Sequence, residues 1–398
     1  MSLENVIRPR DARDVEAAVQ WALAESKTFE ILGHGSKPIG RAAQWDLGLD
    51  LSGLSGVTLY EPEELILSAK AGTPIAEIEA LLAANNQELA FEPMDYGPIF
   101  GRAAGRGTIG GALAANLSGP RRIKAGAARD HFLGVTAVSG RGETFKSGGR
   151  VVKNVTGYDL CKLLAGSWGT LAVMTDVTVK VLPRAETEQT LLVLGLDDAA
   201  AARAMSLAMG SANDVSGAAH LSAPLAANVR AEAGTALTAL RLEGVGPSVA
   251  HRRHALEAAL KSFGEITVLE EAASRMLWRS VRDVVPFAHG DRALWRISTA
   301  PTRGHVVAAA IGPGAFLYDW AGGLIWAALP AADDGGAARV RAAVGDGHAT
   351  LVRAPAATRA AVPVFEPQDP GLAALTRRVK ESFDPKGVLG PGRMYAGV

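Results

Sequence analysis

The apolar positions of this chain change period several times, and each change marks an element. Val6-Ile7 reads as a short strand closed by Pro9. Asp11 is placed to cap a helix through Ala24 whose Val15, Ala18, Val19, Ala22 and Leu23 fall on one face. Phe29-Glu30-Ile31-Leu32 predicts a strand that runs into Gly33-His34-Gly35-Ser36-Lys37. Strands follow over 45–51, 58–60 and 65–70. Pro74 opens a helix over 75–84 with Ile75, Ile78, Leu81 and Leu82 inward. A strand over 134–138 turns at Gly140-Arg141-Gly142-Glu143 into a return strand over 144–146. The alternation over 173–182 sets Val177, Val179 and Val181 on one side of a further strand.

Beyond Pro183 the composition turns alanine-rich and the pattern changes. Strands are predicted over 190–196, 237–242, 266–269, 294–297, 316–320 and 324–329. Between them lie helices capped by Asp197 or Asp198, started by Ser248, or spanning 270–284, 302–311 and 336–344. Helices alternating with antiparallel strands predict an α+β cap with ferredoxin-like units. A proline-containing linker over 355–370 leads back. Asp369 starts a last helix in which Leu372, Leu375, Val379 and Phe383 share a face while Arg377, Arg378 and Lys380 point away. The expected division is 1–183, 184–360, and a helix and tail over 361–398 that returns to the first domain.

Composition narrows the class. The 398 residues carry no net charge and no basic run, which argues against nucleic acid as a partner. The single cysteine, Cys161, makes no internal disulfide and holds no iron–sulfur cluster. No apolar run has the length of a membrane span, and residues 1–13 show no signal-peptide core. The chain reads as cytoplasmic, with any contact with the inner membrane peripheral and made through partners.

The run from Gly105 to Pro120 is the most informative. Gly107, Gly110, Gly111 and Gly119 lie among small residues, with Thr108, Asn116 and Ser118 as short hydrogen-bonding side chains. Such a run offers bare backbone, close approach and N–H groups for anionic oxygens. Glycine loops at 33–36 and 166–171 flank it. Three backbone-rich loops suggest a large phosphate-containing cofactor. The loop after Leu32 lacks the helix and the acidic residue of a Rossmann fingerprint, and no P-loop signature exists. Arg121, Arg122 and Lys124 either neutralise phosphate or form solvated surface.

Four motifs, in this order, resemble the vanillyl-alcohol oxidase family with its PCMH-type FAD-binding fold. They are Gly33 to Lys37, Gly107-Thr108-Ile109-Gly110-Gly111 to Gly119-Pro120, Tyr158-Asp159-Leu160 to Gly169-Thr170-Leu171, and Phe383 to Met394. The resemblance covers the N-terminal half and the tail. The stretch from Val151 to Pro183 and the ending Arg393-Met394-Tyr395 resemble the flavin-binding subunits of bacterial glycolate oxidase. The resemblance implies an FAD domain of two subdomains under a cap. It implies that the Gly33, His34, Gly35, Ser36, Lys37 loop and the Thr108, Ile109, Gly110, Gly111 run surround the pyrophosphate and ribityl chain. Asn116, Gly119 and Gly126 would line the flavin or its approach, and the Val173 backbone would meet adenine. Leu32, Pro93, Gly107, Ser118, Gly169 and Arg393 complete the implied FAD set. Covalent relatives carry a histidine where this chain has Ser36, so the FAD is expected to be dissociable.

The same resemblance implies oxidation of glycolate to glyoxylate within a complex. Its partners would be a larger FAD-containing subunit and an iron–sulfur subunit that passes electrons towards quinone. Standalone relatives acting on 2-hydroxy acids carry a Gly-His-x-Gly-Asp-Gly-Asn-x-His signature that binds a metal; this chain lacks it, and no metal is expected. A standalone 2-hydroxy-acid dehydrogenase, acting on lactate for example, and a non-catalytic flavin-binding assembly subunit remain the alternatives. His251 and His254 flank two arginines on a predicted helix and read as a solvated face. Arg279, Arg282 and Arg296, near Trp278 and Trp295, are candidates for a carboxylate clamp, against a salt-bridge role.

Overall fold

The computed structural model describes residues 5–150, 157–229 and 234–398. The part of the Val151–Leu160 motif over 151–156 lies outside the described residues.

Strands β1 (Val6–Ile7), β2 (Phe29–Leu32) and β3 (Leu47–Asp50) form a parallel sheet in the order β1-β3-β2. The Asp11 carboxylate caps the helix Ala12–Ala24 by accepting from the backbone N–H groups of Arg13 and Asp14. That helix buries Val15, Ala18, Val19 and Ala22, as its period requires. Strands β4 (Val57–Glu61) and β5 (Ile66–Lys70) begin a second sheet, and β6 (Gln87–Glu88) lies apart from it. β7 (Phe132–Ser139), β8 (Thr144–Gly148) and β9 (Ala172–Lys180) complete five antiparallel strands in the order β4-β5-β9-β7-β8. β10 (Leu182–Pro183) pairs with β6 and fixes where the chain leaves this half.

The remaining strands build one eight-stranded antiparallel sheet. They are β11 (Thr187–Leu194), β12 (Gly217–Leu221), β13 (Leu237–Gly244), β14 (Ile266–Leu269), β15 (Ala293–Ser298), β16 (Ala315–Asp319), β17 (Leu324–Leu329) and β18 (His348–Arg353). Their order is β14-β11-β13-β12-β16-β17-β15-β18. Each half is a βαββαβ unit whose first strand lies between its third and fourth, so two ferredoxin-like units share one sheet. They meet where His220 and Leu221 of β12 pair with Tyr318 and Leu317 of β16. β12 and β17 are buried along their whole length, as central strands covered on both faces are.

Several expected elements shift. The helix expected to start at Ser248 starts at Gly246, with Pro247 in its first turn and no side-chain cap. β12 and β18 were not predicted, and the linker over 355–370 contains a helix, Ala356–Ala361. The last helix, Pro370–Phe383, is capped by Asp369 as expected but turned differently. Leu372 and Leu375 are exposed, and Lys380 is its buried residue. The Lys380 ammonium donates to the Thr170 and Leu389 carbonyls and to Asp384 Oδ2, each at 2.7 Å. Asp384 in turn accepts from the Val388 and Leu389 N–H groups. This knot holds the tail against β2, where Phe29 N–H donates to Val388 O and Gly390 N–H donates to Phe29 O.

Candidate cofactor site

The loop after β2 and the Thr108–Gly111 turn face each other across one cleft. It is lined by Leu32, Gly33, His34, Gly35, Ser36, Lys37, Thr108, Gly110, Gly111, Gly169 and Arg393 of the expected set. The distant tail enters because the Lys380–Asp384 knot anchors it. Arg393 then reaches the carbonyls of Ile31 and Lys37, at 3.4 Å each.

The cations of the cleft lack a carboxylate partner among the described residues, and several of its polar atoms lack any. Lys37 Nζ contacts Ser36 Oγ at 3.2 Å, and burial pushes its ammonium down to about 8. His34 Nδ1 and Arg393 Nε are buried with no hydrogen-bond partner among the described residues. The backbone N–H groups of His34, Gly35, Ser36 and Lys37 meet no acceptor among the described residues. No carboxylate is among the residues lining the cleft. Unpaired cations, orphaned N–H groups and the lack of a counter-charge make a receptor for an anion, and these residues fit a dinucleotide's diphosphate.

The two glycine segments divide this work in a way the sequence did not show. The Ile109 and Gly110 N–H groups are taken by the carbonyls of Thr73 and Ala71, and Gly111 N–H is taken by Thr108 Oγ1. The nest is therefore the loop from His34 to Lys37, not the Gly110-Gly111 pair. Gly110 serves packing, since a Cβ there would lie 2.7 Å from Ala71 Cβ. Gly111 serves the cleft, since a Cβ there would lie 3.0 Å from Lys37 Nζ.

Other expected residues lie elsewhere. The side chains of Ile109 and Val173 are fully buried in apolar clusters. Val173 therefore has only backbone to offer, between Ala172 and Met174, which line the cleft. Gly107 does not line it, although its carbonyl accepts from Ile75 N–H. Pro93, Asn116, Ser118, Gly119 and Gly126 lie outside the cleft lining. Asn116, at a left-handed φ of 48°, accepts from Arg129 N–H, and Ser118 Oγ accepts from Ala128 N–H. Both bonds fold the 116–130 segment on itself. Gly126 takes the left-handed φ that ends the short helix Arg122–Ala125. The Gly119 carbonyl accepts from Trp320 Nε1 at 2.9 Å and so touches the eight-stranded sheet's half.

The sequence reading missed Trp168. Its backbone sits at φ 55° between Gly166 and Gly169, and its ring lines the cleft beside Arg393 and packs on Phe365. A large aromatic inside a Gly-Ser-Trp-Gly turn was the available signal.

The three arginines proposed as one clamp are separated. Arg296 lies on β15 with its guanidinium over Trp320 at 5.0 Å, and Arg122 lies over the same ring at 4.4 Å. Arg296 has no carboxylate partner among the described residues. Arg279 and Arg282 line another cleft, where Arg282 is paired with Glu79 and Asp283. Arg121 is neither a phosphate ligand nor solvated surface. It is buried against Glu88, Glu92 and Glu243. Lys124 is exposed and paired with Asp214. His251 and His254 are exposed on their helix.

Fold and cleft together define a flavoprotein of the PCMH type. Residues 3–148 match a family described as FAD binding domain. The chain is 33% identical to glycolate oxidase subunit GlcE of Escherichia coli (strain K12), over 95% of each chain. It is 30% identical to glycolate oxidase subunit GlcD of Bacillus subtilis (strain 168), over 50% of this chain and 42% of that one. Among solved structures, p-cresol methylhydroxylase with substrate bound superposes with a TM-score of 0.71 at 12% identity, over 98% of this chain and 88% of that one. An alkyldihydroxyacetonephosphate synthase gives 0.68 at 18% identity, over 97% and 76%. At such identities these two structures speak for the fold alone. The chain belongs to the family of glycolate oxidase GlcE subunits within the PCMH-type FAD-binding proteins.

Proposed function

We propose that this chain is the smaller flavin-binding subunit of a glycolate oxidase complex. It is an FAD-dependent oxidoreductase of the class that acts on CH–OH groups. The observation that carries the finer reading is the near full-length likeness to a glycolate oxidase subunit, together with a cleft that fits the cofactor's diphosphate. FAD, when bound, supplies the hydride acceptor. The chain's own residues hold it: the His34–Lys37 N–H groups, the Lys37 ammonium and the Arg393 guanidinium take the diphosphate charge. Residues 1–183 form the FAD-binding part, 184–360 the cap, and 361–398 the returning helix and tail. Arg296, half-buried and without a carboxylate partner among the described residues, holds the carboxylate of a small 2-hydroxy acid.

A larger FAD-containing subunit supplies the proton-abstracting histidines this chain lacks, and an iron–sulfur subunit carries electrons towards quinone. Cys161 has no part in that route, since it is fully buried and burial pushes its thiol up to about 11. Among the described residues no helix is long and apolar enough to cross a membrane, so contact with a membrane runs through the partners.

The cofactor is held without a covalent bond, with the buried Ser36 where covalent relatives place histidine. Acid precipitation of the purified protein is expected to release all flavin absorbance to the supernatant. Flavin retained in the pellet contradicts non-covalent binding.

A further inference from the structure

The cleft that holds Arg279 and Arg282 has no part in the function above. We propose that it is a second ligand site, which takes a small multivalent oxyanion, a di- or tricarboxylate or a phosphate, held by Arg184 from the chain just beyond β10 and by Arg275 and Arg279 from the helix Glu271–Arg282.

The cleft has a volume of about 400 Å³ and shares no lining residue with the cofactor cleft. Its floor is charged, and each of its glutamates is held by an arginine or a hydroxyl. Glu92 accepts from both Arg241 terminal nitrogens, at 2.8 and 3.0 Å, and Glu243 accepts a bidentate pair of bonds from Arg121. Glu88 pairs with Arg121, Glu79 pairs with Arg282, and Glu188 accepts from Ser274 Oγ. The carboxylates lining the cleft are thus engaged.

The lining as a whole carries six arginines against five glutamates, and the arginines left without a carboxylate stand at the rim. Arg184, Arg275 and Arg279 line the cleft, and none has a carboxylate partner among the described residues. Arg275 and Arg279 stand four residues apart on the helix Glu271–Arg282, so like charges sit on successive turns and repel. Arg282 on the next turn is already paired with Glu79 and Asp283 and adds no free charge. An anion placed between Arg275 and Arg279 removes their repulsion.

The backbones that carry these arginines are fixed, so the ordering cost of binding is confined to their side chains. The helix is locked to β11 by Trp278 Nε1, which donates to Thr190 Oγ1 at 2.8 Å, and by a 2.6 Å bond between Thr190 Oγ1 and Ser274 Oγ. Arg184 follows the β6–β10 ladder, and its N–H donates to Asn86 O at 2.7 Å. Guanidinium groups bind carboxylate and phosphate in paired, planar hydrogen bonds. Guanidinium groups brought to one cleft by two separate elements select an anion with more than one charged group over acetate or chloride.

The test is calorimetric titration of the FAD-loaded full chain with citrate and with inorganic phosphate at constant ionic strength, with acetate and chloride as controls. Loading with FAD keeps the probes out of the cofactor cleft. Saturable binding of citrate or phosphate, one per chain, is expected, and the tighter of the two tells whether the natural ligand is a carboxylate or a phosphate compound. Arg184→Gln, Arg275→Gln and Arg279→Gln should each weaken it about tenfold, the loss of one charge-assisted bond. Arg377→Gln should leave it unchanged. Unchanged or raised melting temperatures of the unliganded variants would establish that they fold. The proposal is overturned if neither anion gives a saturable signal, if acetate binds as well as citrate, or if an Arg275→Gln/Arg279→Gln double variant binds like the parent.

Discussion

Gly111→Glu is expected to lose FAD while remaining folded. The two halves of that expectation rest on different contacts. Gly111 is the third residue of the helix Ile109–Ala114, whose cap is Thr108, and glutamate is favoured there because it completes a capping box. The fold therefore tolerates the change. The new carboxylate, however, starts from a Cβ only 3.0 Å from Lys37 Nζ. It neutralises the ammonium and repels the diphosphate from a cleft whose lining carries no other carboxylate. Affinity should fall at least about 100-fold, the sum of a lost charge-assisted contact and a new repulsion. Gly110→Glu should fail earlier, by not folding, because its Cβ would meet Ala71 Cβ at 2.7 Å and Ala71 O at 2.8 Å. Arg377→Ala, on the exposed side of the last helix, should retain full flavin content. Measured flavin-to-protein ratios and melting curves of the three variants decide this, and parental flavin content in Gly111→Glu would refute the placement.

Lys380→Met is expected to destabilise the fold strongly. Methionine matches the lysine stem but removes all three hydrogen bonds of the ammonium. The Asp384 carboxylate, fully shielded from solvent, is left with its charge buried and unpaired. Breaking a buried pair this way costs about 3–5 kcal/mol. The midpoint of thermal unfolding should drop by at least about 6 °C. Flavin affinity should fall with it, because the same knot delivers Arg393 to the cleft. A midpoint within about 2 °C of the parent would show that the knot is not what fixes the tail.

The contrast between these residues shows what the sequence can express. Asp11, Asp197 and Asp369 were legible as caps because a cap is a local bond, made within three residues of itself. The strands Ile266–Leu269 and Leu324–Leu329 were legible as short apolar runs bounded by breaks. β12, with the sequence Gly-Ala-Ala-His-Leu, was not legible, because a strand buried on both faces shows no alternation and its small residues carry little strand propensity. Lys380 was placed outward by a rule of polarity, whereas its acceptors Thr170 and Leu389 come from other segments. The glycine loops announced a cofactor cleft, but their division of labour did not follow from composition. Gly110 and Gly111 look alike until Ala71 and Lys37 are brought beside them. Likewise Arg279, Arg282 and Arg296 formed one candidate clamp only until the sheet placed β15 away from the helix Glu271–Arg282.

The most direct test of the account is glycolate-dependent dye reduction by the purified, FAD-loaded chain, measured alone and after addition of a larger FAD-containing subunit and an iron–sulfur subunit. Abstraction of the hydroxyl proton needs a positioned base, and onward transfer of electrons needs a second centre. The histidine signature is absent from residues 184–360, and Cys161 is the only thiol. The account predicts little reduction by the chain alone and full activity when both partners are present. Robust turnover by the isolated chain would contradict it and establish a self-sufficient dehydrogenase, with Arg296 as the first residue to replace.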